Sequence, residues 1–168
     1  MRVVGGLVVL AVVAVVGAAS GGGAGPEEPQ EAGTAGVQAV PGVSARAFEG
    51  RLAASGWQLT FRHEALGRRG QGTGRGLAVE VAERGEGSPL GMLTGVTCRA
   101  TAAGGSAGAE ALDFLDACVP SDALDPVHHW MVGRWAAHAS SSVLVLGERV
   151  FRLSADSGGA RDLSVDAR

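Results

Sequence analysis

The chain has 168 residues and a formal net charge of −3, with 14 basic residues set against 17 acidic ones. Every basic residue is Arg, and Lys, Asn, Ile and Tyr are absent, a pattern that GC-rich codons explain without any selection for phosphate recognition. This composition excludes a strongly basic nucleic-acid binder and leaves room for one domain with a single modest core.

Arg2 precedes an unbroken run of Val, Leu, Ala and Gly over residues 3–16, and Gly17-Ala18-Ala19-Ser20 supplies small residues at its exit. That is the pattern of a secretory signal peptide over residues 1–20. Carried to Ala19, the same run reaches the lower limit for spanning a bilayer, so an uncleaved N-terminal anchor is the competing reading. No Cys follows the run, which argues against a lipoprotein anchor. In either case the rest of the chain is expected outside the cytoplasm. It is then either secreted or tethered to the outer face of the cytoplasmic membrane through residues 1–20 alone.

Residues 21–42 are rich in Gly, Pro and Glu and poor in large apolar side chains, so they cannot bury enough surface to offset the entropy of ordering. They read as a disordered tether. Residues 43–168 then form a single small domain. Ser44 is placed to cap a helix over residues 45–55, with Phe48 and Leu52 one turn apart on its inner face and Gly56 at its end. Trp57, Leu59 and Phe61 alternate with polar residues as a half-buried strand does. The stretch 68–76 carries four Gly and three Arg and reads as a mobile hairpin loop with some capacity for an anion.

Leu77, Val79 and Val81 mark the next strand, and residues 92–101 a third, with Val96 and Cys98 on one face and Leu93, Thr97 and Arg99 on the other. Ser106 is placed to cap a helix over residues 107–119, whose Ala111, Leu112, Leu115 and Cys118 form one apolar stripe. Asp125 and Pro126 open another helix as cap and first residue, with Val127, Trp130, Met131 and Trp135 facing inward. Strands at 143–146, 150–154 and 163–167, joined by turns at Gly147-Glu148 and 156–160, make a C-terminal antiparallel meander. Runs of strands separated from runs of helices argue for an α+β fold, an antiparallel sheet with its helices on one face.

In an exported chain two cysteines pair by preference, so Cys98 and Cys118 are expected to form a disulfide pinning a helix to the sheet. With no CxxC and no second ligand pair, zinc is not expected, and no cofactor is implied.

One motif points to catalysis. Gly104-Gly105-Ser106-Ala107-Gly108 matches the G-x-S-x-G turn of serine hydrolases and lies between a predicted strand and a predicted helix. Asp113, Asp116, Asp122 and Asp125 follow it, then His128, His129 and His138, so a Ser106–His128–Asp122 set is the enzymatic alternative. In a chain with 28 Gly such a pattern arises easily by chance, and a helix cap explains Ser106 more simply. The three His of the helix opened by Asp125 and Pro126 lack the i, i+4 spacing that puts two ligands on one face, so no metal site is expected there.

The signal or anchor, the tether, Cys98 and Cys118, Asp125-Pro126 with Trp130 or Trp135, and the closing Phe151-Arg152-Leu153 and Leu163-Ser164-Val165 strands together resemble small uncharacterised exported proteins of high-GC actinobacteria. The resemblance covers most of residues 96–168 and implies no activity. The expected function is a non-catalytic extracytoplasmic domain that binds an envelope protein or a cell-wall ligand and no nucleic acid. The alternatives are a small secreted serine hydrolase and an accessory subunit of a membrane complex.

Overall fold

The computed structural model describes residues 39–41, 43–85, 91–102 and 108–168. The expected signal or anchor, most of the tether, and Ser106 lie outside the described residues. Among the described residues no helix is long and apolar enough to cross a membrane.

Among the described residues three α-helices and seven strands follow in the order α1 (Ala45–Ala54), β1 (Thr60–Glu64), β2 (Gly67–Gly74), β3 (Leu77–Arg84), β4 (Gly95–Ala102), α2 (Ala109–Cys118), α3 (Leu124–Ala136), β5 (Ser141–Leu146), β6 (Arg149–Ala155) and β7 (Arg161–Ala167). The strands form one antiparallel sheet in the order β1-β2-β3-β4-β7-β6-β5. The C-terminal meander therefore joins the N-terminal strands through the β4–β7 pair. The helices pack on one face, as the separation of strand runs from helix runs predicts, and α2 lies over β4 and β7 between α1 and α3.

The local signals at the N-terminus act as read. Ser44 Oγ accepts from the Ala47 N–H at 3.3 Å, and Gly56 leaves the helix at φ 82°. Phe48 and Leu52 are fully buried. Val40 is also fully buried, and its N–H donates to the Leu93 carbonyl at 2.7 Å, so the chain joins the core four residues ahead of Ser44, the cap of α1. Leu93, expected on the outer face, is buried instead, because it precedes β4 and folds back against this N-terminal segment.

The largest departure from the sequence reading is the segment 68–76, which is mostly strand β2 rather than a loop. Glycine permits the pairing instead of preventing it. Register places Gly70 and Gly72 opposite Val81 and Val79, on the face that looks toward the helices. A Cβ on Gly70 would meet the Phe61 ring at 2.7 Å, and one on Gly72 would meet the Gln58 carbonyl oxygen at 2.5 Å. The chain from Trp57 to Phe61 thus lies directly on a strip of strand with no side chains, filling the space that β2 leaves open. Trp57 is buried there, edge-on to Phe114 of α2 at 5.1 Å.

Two helix starts also differ. The cap of α2 is Gly108, with no side-chain hydrogen bond, so the helix begins beyond Ser106. A 3₁₀ turn, Ser121–Ala123, runs into α3, so Asp125 lies within the first turn of α3 and Pro126 at its third residue, where a missing N–H is still costless. Val127 and Met131 are the buried residues of α3, whereas Trp130 and Trp135 are half-buried at the core's margin. Trp135 is partly covered by the guanidinium of Arg161, 4.7 Å above its ring.

The Cys98–Cys118 disulfide joins β4 to the end of α2 beneath the centre of the helix layer, with both residues buried. The opposite face of the sheet is polar. Gln71, Glu80, Arg99 and Asp162 stand in one row across β2, β3, β4 and β7, and Arg84 and Arg152 both reach Asp166. Exposed pairs of this kind each contribute at most about 1 kcal/mol, so the fold is held by its helix-side core.

Candidate functional site

The inward positions of β3 continue past the hydrophobic alternation. Leu77, Val79 and Val81 are followed at the same spacing by Glu83, which is 3% exposed. Its partner across the β2–β3 ladder is Arg68, and His63 of β1 is opposite Arg68 in turn. Three ionisable side chains thus share the helix-side face at one end of the sheet.

Their charges are unequally satisfied. Arg68 Nη1 lies 2.6 Å from Glu49 Oε1 of α1, while Arg68 Nε is 3.8 Å from Glu83 Oε2. The second distance allows electrostatic attraction but is too long for a hydrogen bond. Neither carboxylate oxygen of Glu83 has a hydrogen-bond partner among the described residues. The Arg68 guanidinium also lies 4.6 Å above the Phe61 ring, so it is fixed from below by the aromatic ring and from above by Glu49. Burial pushes the Glu83 carboxyl up from 4.5 to about 7, with Arg68 pulling it down and Glu49 pushing it up.

These groups border a cleft of about 1030 Å³. Its walls include His63, Leu66, Arg68, Glu83, Met92 and Leu93, from the β1–β2 hairpin and the approach to β4. Leu66 at the hairpin tip is 84% exposed and Met92 is 47% exposed, so the rim presents apolar side chains to solvent. An apolar rim over a carboxyl that titrates near neutrality can recognise a ligand by shape and by one polar group, either accepting from it as carboxylate or donating to it as acid. No sequence motif marks this place. The available signal is the strand alternation, which extended by two residues puts an acid at an inward position.

The residues of the enzymatic alternative are placed differently. Asp122, within the 3₁₀ turn, pairs with Arg149 at 2.9 Å. His128 Nδ1 instead meets Asp116 Oδ2 of α2 at 2.7 Å. Asp116 is half-buried, and its other oxygen has no partner among the described residues. Burial raises the pKa of Asp116, and the hydrogen bond and charge of His128 oppose that rise. His129 Nδ1 lies 2.8 Å from the Asp125 carbonyl of its own helix, and His138 lies beyond the end of α3 at φ 51°. The structure therefore brings His128 together with Asp116 and not with Asp122. Among the described residues no three His, Cys, Asp or Glu side chains converge as a metal site.

Compared with models of protein families, with curated proteins and with solved structures, the chain matches none of them.

Proposed function

We propose that this protein is an exported, non-catalytic domain that binds a partner or ligand at the cell envelope, and that the cleft beside Glu83 is its binding surface. The observation that carries the reading is a buried carboxyl with no hydrogen-bond partner among the described residues, beneath an apolar rim. A buried polar group left unsatisfied costs about 1–3 kcal/mol, and a ligand that supplies the missing bond recovers that cost on binding. The Cys98–Cys118 disulfide is compatible with a compartment outside the cytoplasm.

The test is a titration of the full-length protein with soluble muropeptides and with detergent-solubilised envelope proteins, read by amide chemical shifts. Saturable shifts around Leu66, Glu83 and Leu93, weakened about tenfold by Leu66→Asp or Glu83→Gln, support the reading. Binding that ignores both substitutions, or no saturable binding to either preparation, ends it.

A second reading, a small secreted hydrolase, is favoured by the His128–Asp116 contact. In it Asp116 takes the orienting role expected of Asp122, His128 is the base, and Ser106 is the nucleophile. Labelling by a fluorophosphonate probe that is lost in both Ser106→Ala and His128→Ala would establish it, and an unlabelled wild-type protein rules it out.

A further inference from the structure

The two edges of the sheet are chemically unlike. β1 at one edge carries Arg62, His63 and Glu64 among its five residues. Charge on an edge strand is how natural sheets discourage unwanted pairing. β5 at the other edge reads Ser141-Ser142-Val143-Leu144-Val145-Leu146, with no charged residue and no Pro. Val143 is 59% exposed and Val145 47%, both on the sheet face away from the helices. A six-residue uncharged strand left open is an adhesive edge, and an exported protein must either cover it or aggregate.

The ladder specifies which backbone groups are open. The Ala155 N–H donates to the Ser140 carbonyl at 2.9 Å, which makes residues 140 and 155 a hydrogen-bonded pair. Hydrogen-bonded pairs alternate along an antiparallel ladder, so Ser142, Leu144 and Leu146 bond to Leu153, Phe151 and Arg149. Ser141, Val143 and Val145 then point their N–H and C=O groups away from the sheet, and no described residue pairs with them.

We infer that β5 is a two-fold interface at which a second copy of this chain pairs β5 against β5, antiparallel, with Val143 on the axis. One register uses every open group. Val143 faces its own symmetry mate, and Ser141 of each copy faces Val145 of the other, so all three outward residues exchange both backbone bonds. Shifting by two residues would put Ser141 opposite Gly147, whose φ of 59° takes it out of the strand, and would forfeit one pair. Shifting by one would set inward-bonded residues against the edge.

In the favoured register the Val143 and Val145 side chains of both copies cluster over the seam on one face, and Leu144 meets Ser142 on the other. The same register brings the Glu148 turn of each copy beside residues 137–140 of its mate. Those residues carry His138 and follow Arg134, and no acidic residue occurs between 126 and 147. The ends of the seam therefore set no like charge against Glu148. A two-fold interface of this kind closes on itself, whereas β5 against the charged β1 edge would propagate into an open filament.

The experiment is sedimentation equilibrium of the full-length protein with the substitutions Val143→Lys and Val143→Glu. Because Val143 is more than half exposed, both variants should retain the wild-type melting temperature at concentrations where all are monomeric. Wild type is expected to show twice the chain mass. Each variant alone puts like charges face to face on the axis and should weaken association by about tenfold or more. An equimolar mixture of the two should recover the dimer by opposite charge. Amide exchange provides a second readout: protection of Ser141, Val143 and Val145 should disappear in either variant, while that of Ser142, Leu144 and Leu146 persists. A monomeric wild type, a dimer unaffected by both substitutions, or a mixture that fails to recover association overturns the inference.

Discussion

Replacing Glu83 by Gln should remove most of the pH dependence of this protein's stability in the neutral range. In the unfolded chain the carboxyl titrates near 4.5, and in the folded protein burial raises it to about 7. The folded state therefore binds the proton more tightly. The corresponding stability is fully present below about pH 4.5 and is lost as pH rises through 7. The two values correspond to a difference of about 3 kcal/mol. A side chain that is 1% exposed leaves little solvent to screen it, although the Arg68 charge and local relaxation make this an upper figure. For a domain of this size the change amounts to roughly 10 °C in melting temperature between pH 5 and pH 8.

Gln has nearly the same shape and no charge. At pH 5 the protonated acid and the amide are both neutral and both without partners among the described residues, so the two proteins should differ by less than about 1 kcal/mol. At pH 8, where wild type must bury a carboxylate, the variant should be the more stable. Asp116 and Asp162 are also raised by burial and tilt both proteins in the same direction, so the informative quantity is the difference between the two melting curves. Thermal unfolding by circular dichroism across pH 5–8 measures it. Parallel curves would refute the reasoning, because they would mean that Glu83 ionises in the folded protein as it does in the unfolded one.

Further substitutions probe the helix-side core. Reducing the disulfide or replacing Cys98 and Cys118 by Ala should cost about 3 kcal/mol, as expected for closing a loop over a separation of 20 residues, and urea unfolding would report it as a lower midpoint. Gly72→Ala should cost about 2–3 kcal/mol, because its Cβ would press on the Gln58 backbone at 2.5 Å and push the 57–61 segment off the sheet; Trp57 fluorescence should shift to the red with it. The nearby Gly76→Ala would meet no atom within 4 Å and suffers only from its φ of 76°, so it should cost less, about 1 kcal/mol, and leave Trp57 unshifted. Equal losses at the two glycines would mean that close packing is not why β2 is glycine-rich.

What could be read from the sequence followed from local rules that the tertiary structure did not overrule. Ser44 caps α1 because a hydroxyl before a helix has nothing better to bond. The C-terminal meander is legible because each of its strands alternates and each turn carries its own signal, with Gly147 at φ 59° in the tightest of them. β2 was illegible for the opposite reason. Its glycines satisfy no local preference for a strand, and they are explained only by Phe61 and Gln58, which reach them from elsewhere in the chain. The half-burial of Trp130 and Trp135 was unreadable in the same way, since a helical stripe gives direction but not how far the sheet extends beneath it.

The two surfaces proposed above divide along the same line. The edge of β5 can be found in a sequence, as a strand without charge, but that it is an edge depends on the order β4-β7-β6-β5, which no local pattern contains. Glu83 is visible as an acid at an inward position, and such a residue could equally have marked the end of its strand. What distinguishes it is that Arg68, its cross-strand neighbour, is bound more closely by Glu49 than by Glu83. Had Arg68 turned fully to Glu83, the carboxyl would be a satisfied buried pair with a lowered pKa and nothing to offer a ligand. The competition between the two acids for one guanidinium therefore keeps Glu83 available. Removing the competitor tests this directly: Glu49→Gln should let Arg68 close on Glu83, bring its titration down from about 7 toward the ordinary carboxylate range, and weaken any ligand that binds there. A Glu83 titration unmoved by Glu49→Gln, followed by carboxyl carbon shifts in ¹³C-labelled protein, would show that burial alone sets its chemistry.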